Sequence, residues 1–417
     1  MASSRLSILL AALALLAGAG AACVRDGGAD PSLAGWTPAD PPAAPGAMAP
    51  SLTSTVDGLL LTWLEPGPAG RGGAETQSHA LRVSRLRDGR WSTPVSIAAG
   101  DDFFANWADF PAAAQAPDGS LTAHWLAKTG GDTYAYGIFL ARSTNSGATW
   151  SPAGLLHSDR IPAEHGFVSW VPEGTGLRAV WLDGRETVKE GPMTLRTGLV
   201  GKAGSEEVLD ARVCDCCQTD AALTADGPIV AFRDRSDKEI RDIYVVRKTA
   251  AGWSAPVPVH RDNWEIPGCP VNGPAVAAAG RRVAVAWFTG APPAGPRVQL
   301  AFSEDGGQQF GAPVLIDGEK PLGRVDLQLD AQGDAIVSWL AFQEKGAAVR
   351  LRRVSPKGAA GAPVTIAATS AARSAGFPRS AVSGDRLWLA WVEDAPGEGA
   401  SRVRAASLPL AAVRPHP

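Results

Sequence analysis

Short apolar runs, rich in Leu, Ile, Val and Ala and interrupted by polar positions, recur from one end of the chain to the other. Seven of them, at residues 59–63, 121–125, 177–181, 229–232, 283–287, 335–339 and 387–391, close on an aromatic: Trp63, Trp125, Trp181, Phe232, Trp287, Trp339 and Trp391. The aromatics stand 51 to 62 residues apart. Runs of this length, with partial alternation and β-branched and aromatic content, predict strands. The amphipathic 3.6-residue stretches of a helical solenoid do not occur between them.

Each copy has the same surroundings. An apolar stretch such as 111–115 leads into a turn at Asp118-Gly119, the Trp-closed run follows, and stretches such as 138–142 and 94–97 supply a third and a fourth strand. Four short strands per unit, at a period of about 54 residues, predict a propeller blade. Seven units predict an all-β, seven-bladed β-propeller, with six blades and one divergent unit as the alternative. The last unit shows only three strands, at 377–382, 387–391 and 403–408. A segment near 33–38 or 47–52 is therefore expected to complete it and remove the open edge.

The N-terminus has a different pattern. Arg5, an apolar stretch over 6–17 and the small residues Gly20-Ala21-Ala22 predict a secretory signal over residues 1–22, too short for a retained membrane span. Cys23 directly after them resembles the lipidated cysteine of bacterial lipoproteins, although Gly20 stands where that pattern has Leu; ordinary cleavage is the alternative. Residues 23–50, rich in Ala, Pro and Gly, are expected to be a tether, leaving 51–417 for the propeller. The expectation is an exported, monomeric protein, periplasmic or anchored at the outer membrane, that meets the membrane by its lipid only. A net charge of −3 provides no basic field for nucleic acid.

Two turns between third and fourth strands carry a motif. Ser143-Thr144-Asn145-Ser146-Gly147-Ala148-Thr149-Trp150 and Ser303-Glu304-Asp305-Gly306-Gly307-Gln308-Gln309-Phe310 resemble the Asp-box of the sialidase-like (BNR-repeat) propellers, with Asn145 and Phe310 as departures. The box is structural: a short polar side chain bonds turn amides, Gly takes the left-handed conformation and the aromatic packs beneath the blade. In the enzymes of that family an arginine triad holds the substrate carboxylate, a Tyr activated by Glu is the nucleophile and an Asp is the acid. The resemblance implies, if the chain is an enzyme, a sialidase-type glycosidase with Arg160, Arg324 and Arg379 as the triad and Asp109 or Glu164 moving a proton. Only three tyrosines exist, and none stands in an evident nucleophile position.

In a propeller the loops leading into each first strand share a face with the loops between second and third strands. Those lead-in loops hold Trp107, Asp109, Glu164, His165, the run Cys214-Asp215-Cys216-Cys217-Gln218, Trp264, Cys269, Asn272, Arg324 and Arg379. Chemistry is thus gathered on one face, as a binding site requires. Trp107, His165, Asp215, Gln218, Trp264 and Asn272 are the candidate ligand-binding side chains, for a glycan or an envelope protein. Trp107 and Trp264 either stack on a sugar ring or plug the channel.

Four cysteines, Cys214, Cys216, Cys217 and Cys269, admit three readings. Export favours disulfides that staple the two loops. Reduced, the same thiolates would hold a soft ion, Cu(I) or Zn(II), although the spacing is not that of an ordinary zinc site. A redox role is the third. Apart from that ion no cofactor is implied.

Overall fold

In the computed structural model, residues 35–67, 78–393 and 400–413 are described; the expected signal segment and Cys23 lie outside the described residues. Seven separate antiparallel sheets are present, and the chain is a seven-bladed β-propeller, not six-bladed. The innermost strands are Met48–Thr55, Ala112–Gln115, His165–Glu173, Asp220–Thr224, Ala275–Ala279, Pro321–Leu329 and Arg379–Ser383. They pack against one another around the central channel. Among the described residues no helix is long and apolar enough to cross a membrane.

The seventh blade takes its outer strand from the N-terminal side. Thr37–Pro38 pairs with Arg402–Pro409, placing Thr37 opposite Ser407 and Pro38 opposite Ala406. The propeller therefore begins before residue 51, because Thr37–Pro38 and the first three residues of Met48–Thr55 fall in the stretch expected to be tether. Of the two segments expected to close the ring, the one near 33–38 does so.

The repeated tryptophans explain why the units pack. Trp63, Trp181, Trp287 and Trp339 are fully buried on second strands, and each indole N–H donates to a carboxylate: Glu65, Asp183, Asp262 and Asp317 respectively. An indole left without that partner would carry an uncompensated buried donor. Both Asp-box turns form as their chemistry dictates. Gly147 N–H donates to Ser143 Oγ at 2.9 Å and Gly307 N–H to Ser303 Oγ at 2.9 Å, and Trp150 and Phe310 pack on the cores beneath them.

First strands enter the channel through bulges. Ala49, Phe167 and Arg324 have φ of 51°, 55° and 54° and sit where the ladder of blades 1, 3 and 6 slips register. An inserted residue there bends the strand and re-aims its side chains toward the channel mouth.

Candidate functional site

The run from Cys214 to Gln218 is held at both ends. Val213 N–H donates to Met193 O, Cys214 N–H donates to Arg233 O at 3.0 Å, and Gln218 spans to Ala108 O at 2.7 Å and receives Gly273 N–H at 3.0 Å. This folds three sulfurs inward. Cys214, Cys216 and Cys217 place their sulfurs within 4.8 Å of one another, with Cys214 3.0 Å from Cys217 and 3.9 Å from Cys216. Cys269 arrives on the next lead-in loop, which adjoins this one where Gly273 N–H meets Gln218 Oε1. All four are free thiols, so the expected disulfide staple is not formed; the sulfurs cluster without bonding.

Two arginines face the cluster. Arg241 donates to Cys214 Sγ at 3.3 Å, and Glu239 joins Arg241 to Arg235, which also pairs with Asp215 at 3.0 Å. Burial opposes a thiolate at Cys214, yet the hydrogen bonds from Cys216 and Cys217 and the Arg233 charge bring it well below a thiol's usual value. The bonds to Cys214 push Cys216 up, and burial pushes Cys217 up. The bond from Cys216 brings Cys269 down to about 7. Cys214 and Cys269 are therefore the two sulfurs favoured to ionise, and Cys216 and Cys217 the two disfavoured.

A second constellation adjoins this one. Tyr136 donates its hydroxyl to Glu164 Oε1 at 2.9 Å, with Asp109 Oδ2 3.3 Å away, and Phe167 N–H donates to Asp109 Oδ1 at 2.8 Å. Gly166 permits this approach, since a Cβ there would lie 1.8 Å from Asp109 Oδ2. Burial raises Asp109 to about 8 and Glu164 to about 7, so near neutrality Asp109 is largely protonated and Glu164 about half so. The charges of Asp215 and Cys269 add to the rise at Glu164. Tyr136, one of the three tyrosines, begins the third strand Tyr136–Ser143, and its pairing with Glu164 and Asp109 leaves no mark in the sequence. Arg241 and Glu239 carried no signal beyond a run of alternating charge.

The arginines of the sialidase pattern do not assemble. Arg160 is exposed. Arg324 donates to Ala372 O and Gly376 O and lies 4.6 Å over the Trp107 ring; burial and neighbouring Arg373 lower it to about 10. Arg379 pairs with Asp326 at 3.1 Å. Among the described residues, no hydrogen bond or ion pair joins any of the three to Tyr136, Glu164 or Asp109. Tyr136 itself is buried, its ring stacked 4.0 Å from that of Phe104.

Several expected ligand contacts are loop ties instead. Trp107 stacks on Phe377 with centroids 6.1 Å apart and packs partly buried against the core of the neighbouring blades. Trp264 is buried against Phe288 with Arg233 5.0 Å from its ring. Gln218 is committed to backbone as described, and Asn272 accepts from Arg324 N–H at 2.6 Å and donates to Leu322 O at 3.3 Å. Asp215 is the one polar residue of that set beside the sulfurs. His165 is fully buried, its Nδ1 3.0 Å from Ala163 O and its Nε2 3.2 Å from Asp159. Burial works against the charged ring, but Asp159 and Asp183 outweigh it and raise its pKa. His157 stacks on His165 at 3.9 Å and holds Asp159 at 3.1 Å. His157, Asp159 and His165 thus bring one ligand atom each within 4.8 Å of one another, a second set that could hold an ion.

A cavity of about 270 Å³ is lined in part by Asp109, Ser169, Trp170, Asp220 and Arg379.

No family model matches this sequence, and a search of the curated proteins finds no match. Solved structures do match in shape. A protein of unknown function from Dyadobacter fermentans superposes with a TM-score of 0.52 at 14% identity, over 91% of this chain and 98% of that one. The polysaccharide lyase Uly1 gives 0.54 at 9% identity, over 90% of this chain and 98% of that one. The NanB sialidase of Streptococcus pneumoniae gives 0.46 at 11% identity, over 91% and 70%. At such identities the likeness establishes a shared propeller fold and nothing about the site.

Proposed function

We propose that this chain is an exported propeller whose cysteine face binds a soft metal ion, Cu(I) or Zn(II), through thiolates. The observation that carries the reading is the set of Cys214, Cys216 and Cys217 sulfurs within 4.8 Å of one another, built from a loop fixed at both ends. Sulfur ligands select soft ions, and three close thiolates suit Cu(I) in particular. Arg241 and Arg233 offset the negative charge that such a site accumulates. The propeller supplies rigidity, and Cys23 in this reading tethers it at the envelope.

The test is titration of the reduced chain, in a Cys23→Ser background, with Cu(I) held in a competing chelator and in parallel with Zn(II). One ion per chain is expected for the preferred metal, with loss of that ion in Cys217→Ala. A wild-type chain that takes up neither ion overturns the reading.

A glycan-directed reading retains one observation in its favour, the Tyr136–Glu164 pair beside Asp109. Burial of Tyr136 and dispersal of the three arginines weigh against it as a sialidase-type site.

A further inference from the structure

The four sulfurs are not equivalent, and their inequality has a direction. Cys214 and Cys217 are 1% and 2% exposed, Cys216 is half-buried and Cys269 is exposed. Only the first three form the compact set; Cys269 stands outside it, on the adjoining loop tied by Gly273 N–H to Gln218 Oε1. The arrangement is three plus one, graded from core to rim, and differs from the equal tetrahedron of a closed structural zinc site.

The loop that carries Cys269 belongs to a different blade and is braced on both sides of the thiol. On one side Ile266 N–H donates to Glu239 O at 2.9 Å, tying the loop to the segment that also carries Arg241. On the other, Asn272 anchors to Pro270 O and to Leu322 O. Pro267 and Pro270 flank the thiol and limit its backbone freedom. Val271, with φ of 48°, turns the chain back toward the channel. A braced, exposed thiol beside a buried trio but outside it is poorly placed to complete a cage and well placed to pass something inward.

Resting on the thiolate reading above, we propose that Cys269 is the transfer ligand of this site, a rim sulfur through which a soft ion enters and leaves the buried Cys214, Cys216 and Cys217 set. In uptake a metal–sulfur bond forms at Cys269 as the incoming carrier's bond to the ion breaks. The ion then exchanges onto Cys216 and settles with Cys214 and Cys217, while the thiol protons displaced by the metal leave to water. No electron changes hands. Release runs through the same steps in reverse, so a lowered barrier acts on both directions equally.

That symmetry separates a transfer ligand from a fourth structural ligand. The experiment uses the full chain in a Cys23→Ser background, with Cu(I) supplied as its glutathione complex for uptake and a nitrogen-donor chelator for release, both rates followed by stopped flow. Cys269→Ala and the isosteric Cys269→Ser are compared after far-ultraviolet circular dichroism confirms the propeller. The expected result is uptake and release both slowed about tenfold or more, with one ion still bound and the dissociation constant little changed, as for sulfur ligand exchange that needs a bridging thiolate. Unchanged rates overturn the inference and leave the site itself standing. Faster release with weaker binding overturns it too, in favour of a structural fourth ligand. Failure of the wild-type chain to bind the ion at all removes the underlying site and is distinguishable from either result.

Discussion

Arg241 donates to the sulfur of Cys214 at 3.3 Å, with both side chains buried. The guanidinium cannot lose its proton, so it is a permanent partner for a thiolate that burial alone would forbid. A hydrogen bond to a charged group contributes about 1.5–3 kcal/mol. In a Cys269→Ser background, which removes the exposed thiol, Arg241→Met is therefore expected to raise the pH at which Cys214 ionises and to cut the rate of alkylation of the cluster near neutral pH about tenfold. Arg241→Lys should recover part of the rate. The same alkylation rate with Arg241→Met as in Cys269→Ser alone would show that the guanidinium does not govern Cys214.

The buried carboxyls make a prediction of opposite character. Asp109 stands at about 8 and Glu164 at about 7 in the folded chain, against about 3.9 and 4.3 when unfolded. Folded values above unfolded ones mean that the folded state holds more protons between them. Stability from the neutral carboxyls is complete below pH of about 4 and is lost as pH rises through 7 to 8. Asp109→Asn stays neutral throughout. It should match the wild type in urea unfolding at pH 3 and exceed it by about 5 kcal/mol at pH 9. Equal denaturation midpoints at both pH values would mean that Asp109 is ionised without cost.

The Asp-box serines separate fold from site. Ser143 and Ser303 each accept a turn amide at 2.9 Å. Loss of either bond should cost about 1 kcal/mol. Ser143→Ala and Ser303→Ala are expected to lower the unfolding midpoint while the ion stoichiometry of the cysteine face stays at its wild-type value. A change in stoichiometry without a change in stability would contradict this division.

The blades could be read from the chain because one residue type repeats for one reason. Trp63, Trp181, Trp287 and Trp339 each fill the same buried position and each need a carboxylate for the indole. The site is legible only in part. The cysteine run is a sequence cluster, but the separation of Cys269 from the trio depends on how two blades pack, which periodicity does not encode. Tyr136, Glu164 and Asp109 come from three segments and meet across a glycine. Trp107, Trp264, Gln218 and Asn272 have the side chains of ligand contacts, yet those same donors and rings suit loops that must tie to one another over a channel.

Ring closure gives a last expectation. Thr37–Pro38 is the outer strand of the seventh blade, and around it Trp91 Nε1 donates to Ala39 O at 2.6 Å and Arg404 pairs with Asp40 at 2.9 Å. The ion pair is partly exposed and adds little; the backbone ladder and the indole bond supply most of the effect. A chain lacking residues 1–40 should lose about 2–4 kcal/mol of stability, at about 1 kcal/mol per hydrogen bond. It should also expose Arg402–Pro409 as an unpaired edge, and such edges recruit other strands. Urea unfolding would report the first consequence and light scattering against concentration the second. Full stability in a truncated chain that remains monomeric would show that the first three strands of the blade suffice without the N-terminal strand.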